Sequence, residues 1–242
     1  MRCHTFVHPN FVAAIFNKRS LTENPRPLTD YLTGTRRDKI CFIKAASSPN
    51  HAGYKKIARP QYGDYYNNEP DVLADGVMLT ESGSCAIIRT GDCPAVVLFE
   101  QKTKRLVFLH AGRPALTPIG YGQNGTENII SDGYHRLTFD VPEPKVFAYL
   151  TGSICPTHFP HDTPEAQKIV KPFDVFGKLS FSDRATGKLD LVRIITHQLV
   201  TLGVSTTNIF SDRLCTYETP WLASHRREPG SRLRNPVVVV LQ

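Results

Sequence analysis

Cys93 and His110 combine residue types and a spacing that suit chemistry. Cys93 ends the loop Thr90-Gly91-Asp92-Cys93, which follows one apolar run. His110 closes the apolar run from Arg105 to Leu109, seventeen residues beyond the cysteine. A strand, a turn and a returning strand fit that interval, and such a hairpin-like return puts both side chains at one sheet edge. A thiolate and an imidazole meeting there have two chemical uses. With a third ligand and an open position they bind zinc and activate water or substrate. Alternatively, Cys93 is a nucleophile and His110 its base, with Asp92 nearby. The same spacing also fits a small buried thiol beside a strand-end histidine, with no chemistry at all.

Two further segments carry chemically able residues. Cys155-Pro156-Thr157-His158-Phe159-Pro160-His161 has ligand-type side chains at short spacing, but its two prolines constrain the backbone and it has no CxxC or HxxxH partner. It reads as a loop lining a site rather than as a separate metal centre. Residues 213–234 contain Arg213, Arg226, Arg227, Arg232 and Arg234 against only Glu218 and Glu228. Arginine without lysine favours planar, bidentate anion recognition, and a solvated basic edge is the alternative. His4 and His8 fall near a terminus expected to fray and receive no role.

The elements that must position these residues are mostly strands. Apolar, β-favouring runs occur at 40–46, 76–80, 85–90, 95–99, 105–109, 145–150 and 236–241, and several are parted by credible turns such as Glu81-Ser82-Gly83-Ser84. The continuous apolar character of the last run predicts a strand buried on both faces. A helix is expected over 188–202, where Leu189, Val192, Ile195, Leu199 and Leu202 share one face and Gly203 closes it. A shorter one is expected from Thr163 to Val170, before Pro172. Residues 50–72 and 112–134 read as long loops. Gly120, Gly122 and Gly125 match GxGxxG, but no strand leads into them, and the dinucleotide motif is rejected.

Size and charge bound the rest. The chain has 242 residues, 40% hydrophobic and 21% charged, which suits one α/β or α+β layered domain. The formal charge of +7 is too thinly spread to specify nucleic acid. No stretch approaches the roughly 18 consecutive apolar residues of a membrane span. The start has no apolar leader pattern, so a cytoplasmic protein is expected. Six cysteines are too sparse for a disulfide framework.

Three blocks resemble the laccase-domain, polyphenol-oxidase-like (YfiH-like) family, now regarded as purine nucleoside phosphorylases. Ala74-Asp75-Gly76-Val77-Met78-Leu79-Thr80 is similar to its ADALVT strand and precedes Thr90-Gly91-Asp92-Cys93, which looks like its TADC. His110-Ala111-Gly112 is similar to the opening of HAGWRG, at the family's seventeen-residue offset. Leu189-Asp190, Gly203-Val204, Leu214-Cys215-Thr216-Tyr217 and Ser224-His225-Arg226-Arg227 resemble its LD…GV…CTY…FFSYRR series. Gly152-Ser153-Ile154-Cys155 resembles its IGPC loop more loosely.

The resemblance implies a single α/β domain over 1–242, with a mixed β-sheet flanked by helices. It implies a metal held by Cys93, His110 and a third histidine. His51, in Asn50-His51-Ala52-Gly53, is the best match for that ligand. Zinc is the expected metal and copper ranks behind it. The implied activity is phosphorolysis of adenosine and related nucleosides, with nucleoside and phosphate as partners and adenosine deamination as a second activity. Arg113, Arg226 and Arg227 are then expected to face phosphate, and Asp92 to orient a ligand or take a proton. A homo-oligomer is compatible with this reading. The family's Trp-Arg-Gly after HAG is here Arg113-Pro114-Ala115, and its N-terminal Thr-Arg-x-Gly-Gly turn has no counterpart. The Arg113-Pro114 departure keeps open a member without turnover that binds a purine or a protein partner, and a metal-free cysteine hydrolase using Cys93 and His110 is the other alternative.

Overall fold

The continuous apolar runs form strands that are covered on both sides. In β8 (Ala95–Glu100) and β14 (Asn235–Leu241) every residue is buried, as expected when a sheet has packed layers on each face. The computed structural model describes residues 2–18, 40–44, 57–58, 72–118 and 127–242. Within them the mixed sheet expected from sequence is present as two six-stranded sheets. The first has the order β1 (Cys3–His8), β2 (Phe11–Phe16), β14, β7 (Cys85–Thr90), β3 (Ile40–Lys44), β5 (Val72–Leu73). The second runs β13 (Ile209–Ser211), β10 (Val146–Thr151), β8, β9 (Leu106–His110), β6 (Gly76–Leu79), β4 (Ile57–Ala58). Parallel pairs, such as β3 with β7 and β10 with β13, sit beside antiparallel ones, such as β8 with β9.

Side chains alternate across each sheet, so each strand serves two cores. Val97, Phe99, Phe108 and Tyr149 of the second sheet pack with Ile15, Ile88 and Val237 of the first. Their sequence neighbours Val96, Leu98, Leu109 and Leu150 face the other way, onto helices α2 (Ile129–Thr138) and α4 (Leu191–Thr201) through Ile130, Leu137, Ile194 and Leu199. Each fully buried aliphatic or phenyl side chain contributes about 1.5–3 kcal/mol. No helix among the described residues is long and apolar enough to cross a membrane.

Several expectations are corrected. The N-terminus is not frayed: β1 and β2 form a hairpin from Cys3 opposite Phe16 to His8 opposite Phe11, and β2 pairs with β14. His8 Nδ1 accepts from the Asn10 N–H at 3.2 Å and so closes the turn. The predicted helix over 188–202 begins only at Leu191, because the Asp190 side chain caps Arg193 N–H. Leu189 instead belongs to a short strand, β12 (Lys188–Leu189), paired with β11 (Phe181–Asp183). The shorter helix appears as expected, as α3 (Pro164–Val170) with Thr163 as its cap.

The loop reading of 112–134 fails at both ends. Arg113–Leu116 form a one-turn helix, α1, and α2 starts at Ile129. Asn128 caps α2 by accepting from Ile130 N–H, and Ser131 Oγ returns the favour to Asn128 N–H, a reciprocal cap. The same buried amide donates to Leu116 O and to Gln198 Oε1, both at 2.9 Å, and so joins α1, α2 and α4. His51 and the glycines 120, 122 and 125 lie outside the described residues, as does most of 50–72.

Candidate functional site

Sheet register brings Cys93 and His110 together. Ala95, two residues after the cysteine, lies opposite His110 in the β8–β9 pair. Ala111 N–H donates to Pro94 O at 2.9 Å, which continues the pairing past the strand ends. A Cβ placed on Gly112 would fall 2.7 Å from Cys93 Sγ and 3.1 Å from His110 Cε1. The sulfur and the imidazole thus converge on a spot that only glycine leaves clear.

His110 is buried and held by the Ala74–Gly76 segment. Its N–H donates to Asp75 O at 2.7 Å, and its Nδ1 lies 3.3 Å from Asp75 Oδ1. Burial by itself would lower its pKa. The Cys93 sulfur and the Asp75 carboxylate override burial and push it up to about 10. The pocket therefore favours positive charge at this spot. With Nδ1 engaged by Asp75, Nε2 is the nitrogen left for a ligand. A thiolate, an imidazole and a carboxylate behind the imidazole are a donor set that suits zinc.

Asp92 positions its neighbours. Its backbone is left-handed, with φ +84°, and its carbonyl accepts from Ile154 N–H at 2.9 Å. Its carboxylate accepts from Thr216 Oγ1 at 2.7 Å and from Arg226 N–H at 2.8 Å. Both oxygens are thus engaged by the C-terminal segment, and Asp92 acts here as a tether between the Cys93 loop and Arg226.

The arginines divide. Arg113 begins α1, directly after Gly112. Burial and then the charge of Arg226 push its pKa below the ordinary value, while the Cys93 sulfur opposes them. Arg113 therefore feels both Cys93 and Arg226. Arg226 lies over the Phe159 ring at 4.9 Å, with Nη1 3.4 Å from Pro160 O. Among the described residues, no carboxylate forms an ion pair with the guanidinium of either. Arg227 is a correction to the sequence reading. Its guanidinium donates to the carbonyls of Thr216 (2.8 Å), Tyr217 (2.6 Å), Thr219 (3.3 Å) and Leu222, with Glu228 Oε1 at 3.3 Å. Its Nη1 and Nη2 donors fasten a turn and are not free for phosphate.

Sequence reasoning missed Asp75, which it read only as part of a strand, and His161. The latter is buried, with Nδ1 3.0 Å from Gly187 O and with Nε2 unpartnered among the described residues. Burial, then the charges of Arg113 and Arg226, lower its pKa against the opposing backbone groups of Gly187 and Phe159. His161 thus lies within electrostatic reach of both arginines. The Cys155–His161 segment splits at Phe159: Cys155 and His158 turn away to meet Cys215 and Glu218.

The fold and site define a two-sheet α/β domain with a ligand-type Cys–His pair at a strand edge and an arginine pair beside it. The family described as multi-copper polyphenol oxidoreductase laccase matches residues 20–242, and the chain belongs to that family, whose YfiH-like members share this fold. The structure of YfiH from Bacillus licheniformis, titled a hypothetical protein, superposes with a TM-score of 0.70 at 16% identity, covering 96% of this chain and 93% of that one. YlmD from Geobacillus stearothermophilus gives 0.73 at 19%, covering 97% and 93%. A Neisseria meningitidis protein gives 0.73 at 17%, covering 100% of both chains. At such identities the likeness establishes the fold. No curated protein matches the chain.

Proposed function

We propose that the protein is a cytoplasmic purine nucleoside phosphorylase that cleaves adenosine and related nucleosides with inorganic phosphate. The observation that carries this reading is that Arg113 directly follows Gly112, where Cys93 and His110 converge, and that Arg226 is tied by its N–H to Asp92, next to Cys93, while neither guanidinium has a carboxylate partner among the described residues. Two guanidiniums held close repel one another, and a dianion between them relieves the repulsion. Cys93 and His110, with His51 as third ligand, would hold zinc. When bound, the ion supplies a fixed positive charge for a substrate oxygen or water. One thiolate and two imidazoles fall short of a multicopper centre, so copper ranks behind zinc.

The chain's own residues divide the remaining work. In phosphorolysis an oxygen of hydrogen phosphate bonds to the ribose C1′ as the bond from C1′ to the base nitrogen breaks, and the base leaves with the proton that the phosphate gives up. Arg113 and Arg226 neutralise the phosphate and aim it. Asp92 fixes the height of Arg226 through its backbone N–H. His161, whose buried Nε2 has no partner among the described residues, would hydrogen-bond phosphate or a ribose hydroxyl. Asp75 fixes the tautomer and orientation of His110. Hydrolytic deamination of adenosine is a second activity of the same pocket.

The test is chromatographic assay of adenine and ribose 1-phosphate from adenosine with phosphate, using wild type and Cys93→Ala, with metal content measured in parallel. Phosphate-dependent adenine release that is lost in the variant supports the reading. Undiminished release with undiminished metal overturns it. The closeness of Cys93 to His110 also favours a metal-free cysteine hydrolase as a second reading. Rapid alkylation of Cys93 by iodoacetamide, unaffected by chelator, would favour the hydrolase.

A further inference from the structure

We propose that Cys155, His158, Cys215 and Glu218 form a second metal site, a structural zinc centre separate from the Cys93–His110 pair. The four donors come from two segments far apart in sequence. Cys155 precedes a single 3-10 turn, Pro156–His158, which folds the His158 ring back so that Nδ1 lies 3.1 Å from Cys155 Sγ. The segment 212–219 runs alongside. Ser153 bridges Cys215, Thr216 N–H donates to Ser153 O at 3.2 Å, and Cys155 N–H donates to Cys215 Sγ at 3.3 Å. Glu218 Oε1 completes the group at 3.5 Å from His158 Nδ1 and 3.8 Å from Cys155 Sγ. All four ligand atoms lie within 4.8 Å of one another.

The distances between the donors argue for a tetrahedral ion. Zinc–sulfur bonds of about 2.3 Å and zinc–nitrogen or zinc–oxygen bonds of about 2.0–2.2 Å at tetrahedral angles put donor atoms roughly 3.3–3.8 Å apart. The observed separations are 3.1 and 3.9 Å for the two sulfurs from Nδ1, 3.8 Å for sulfur from the carboxylate, and 3.5 Å for the carboxylate from Nδ1. Each of these four separations lies within about 0.2 Å of that range, so small side-chain adjustments bring the donors to the corners such an ion requires. Two thiolates and an imidazole select zinc over the hard cations. Binding releases one proton from each thiol to solvent and leaves two thiolates, a neutral imidazole and a carboxylate around Zn2+, for a net charge of −1. Four protein donors close the coordination sphere, which marks the site as structural. His158 is braced from behind by Tyr217, stacked at 4.2 Å. The ion would rivet the loop leading to Phe159 and His161 onto the segment whose Thr216 holds Asp92.

The test uses the full-length Cys93→Ala protein, which lacks the thiolate of the other site, stripped with chelator under reducing conditions and titrated with Co2+. The expected result is one equivalent bound, with tetrahedral d–d bands and thiolate-to-cobalt charge transfer, displaced by Zn2+. Adding Cys155→Ser and Cys215→Ser should abolish both signals. Glu218 is exposed, so Glu218→Gln should fold normally and weaken binding by at least about tenfold. The proposal is overturned if the stripped Cys93→Ala protein binds no cobalt. It is also overturned if binding is unchanged by Glu218→Gln and by the serine variants. Recovery of Cys155 and Cys215 as a disulfide-linked peptide from the reduced, metal-supplemented protein would overturn it too. None of these outcomes depends on nucleoside turnover.

Discussion

Cys93 and His110 stand at the ends of paired strands, whereas Cys155, His158, Cys215 and Glu218 stand on a 3-10 turn and a neighbouring loop. The first pair is held by sheet register and backed by the buried Asp75, with Arg113 one residue beyond Gly112 and Arg226 tied to Asp92 beside it. The second group is self-contained, because its four donors face one another and an aromatic ring closes the rear. Two donors fixed on a rigid frame leave positions for a substrate to fill. Four donors that meet leave none, and their use is to hold loops together. Similar residue types thus serve opposite ends, and what distinguishes them is how many donors converge and what charge surrounds them.

The comparison can be broken most forcefully at Cys93. Loss of a metal ligand at a reacting centre removes several kcal/mol of transition-state stabilisation, so Cys93→Ala should lower adenosine phosphorolysis by about three orders of magnitude. Steady-state kinetics checks this, with circular dichroism to confirm an unchanged fold. Arg226→Ala should raise the KM for phosphate by roughly 10- to 100-fold, the effect of one lost charge-assisted contact, and leave the nucleoside KM nearly unmoved. Equal changes in both constants would remove Arg226 from the phosphate. Asp75→Asn should weaken metal binding at the first site by about tenfold while the second site, titrated in the same protein, stays unchanged. Arg227→Ala is the smallest and sharpest test. It leaves several backbone carbonyls without donors and should cost about 1–3 kcal/mol in chemical denaturation with no change in the phosphate KM.

The pairing of Cys93 with His110 was legible because a seventeen-residue interval holds one hairpin and little else. The strands around it were legible for the same reason, since apolar runs buried on both faces advertise themselves. Adjacent arginines were not separable by sequence: Arg226 and Arg227 point to different surroundings because only one reaches the carbonyls of the 216–222 turn. Helix α2 was hidden by its cap, where Ser131 stands in place of the usual glutamate or glutamine. The partnership of His158 with Cys215 spans 57 residues, and no local spacing rule foretells it. His161 looked like one more member of a short Cys/His run, and only the turn at 156–158 shows that it faces the other way.

The amide of Asn128 has a mechanical consequence. Helix α1 is one turn long, far too short to be stable alone, yet it begins with Arg113. Its last carbonyl is held by Asn128, which is held in turn by Gln198 in the middle of α4. The aim of that arginine is therefore set from the far side of the helical layer, by a glutamine that need never meet the substrate. Replacing Gln198 with a shorter side chain would slacken the tether and let the guanidinium wander, a fault felt as imprecision in the grip on phosphate and not as a missing group.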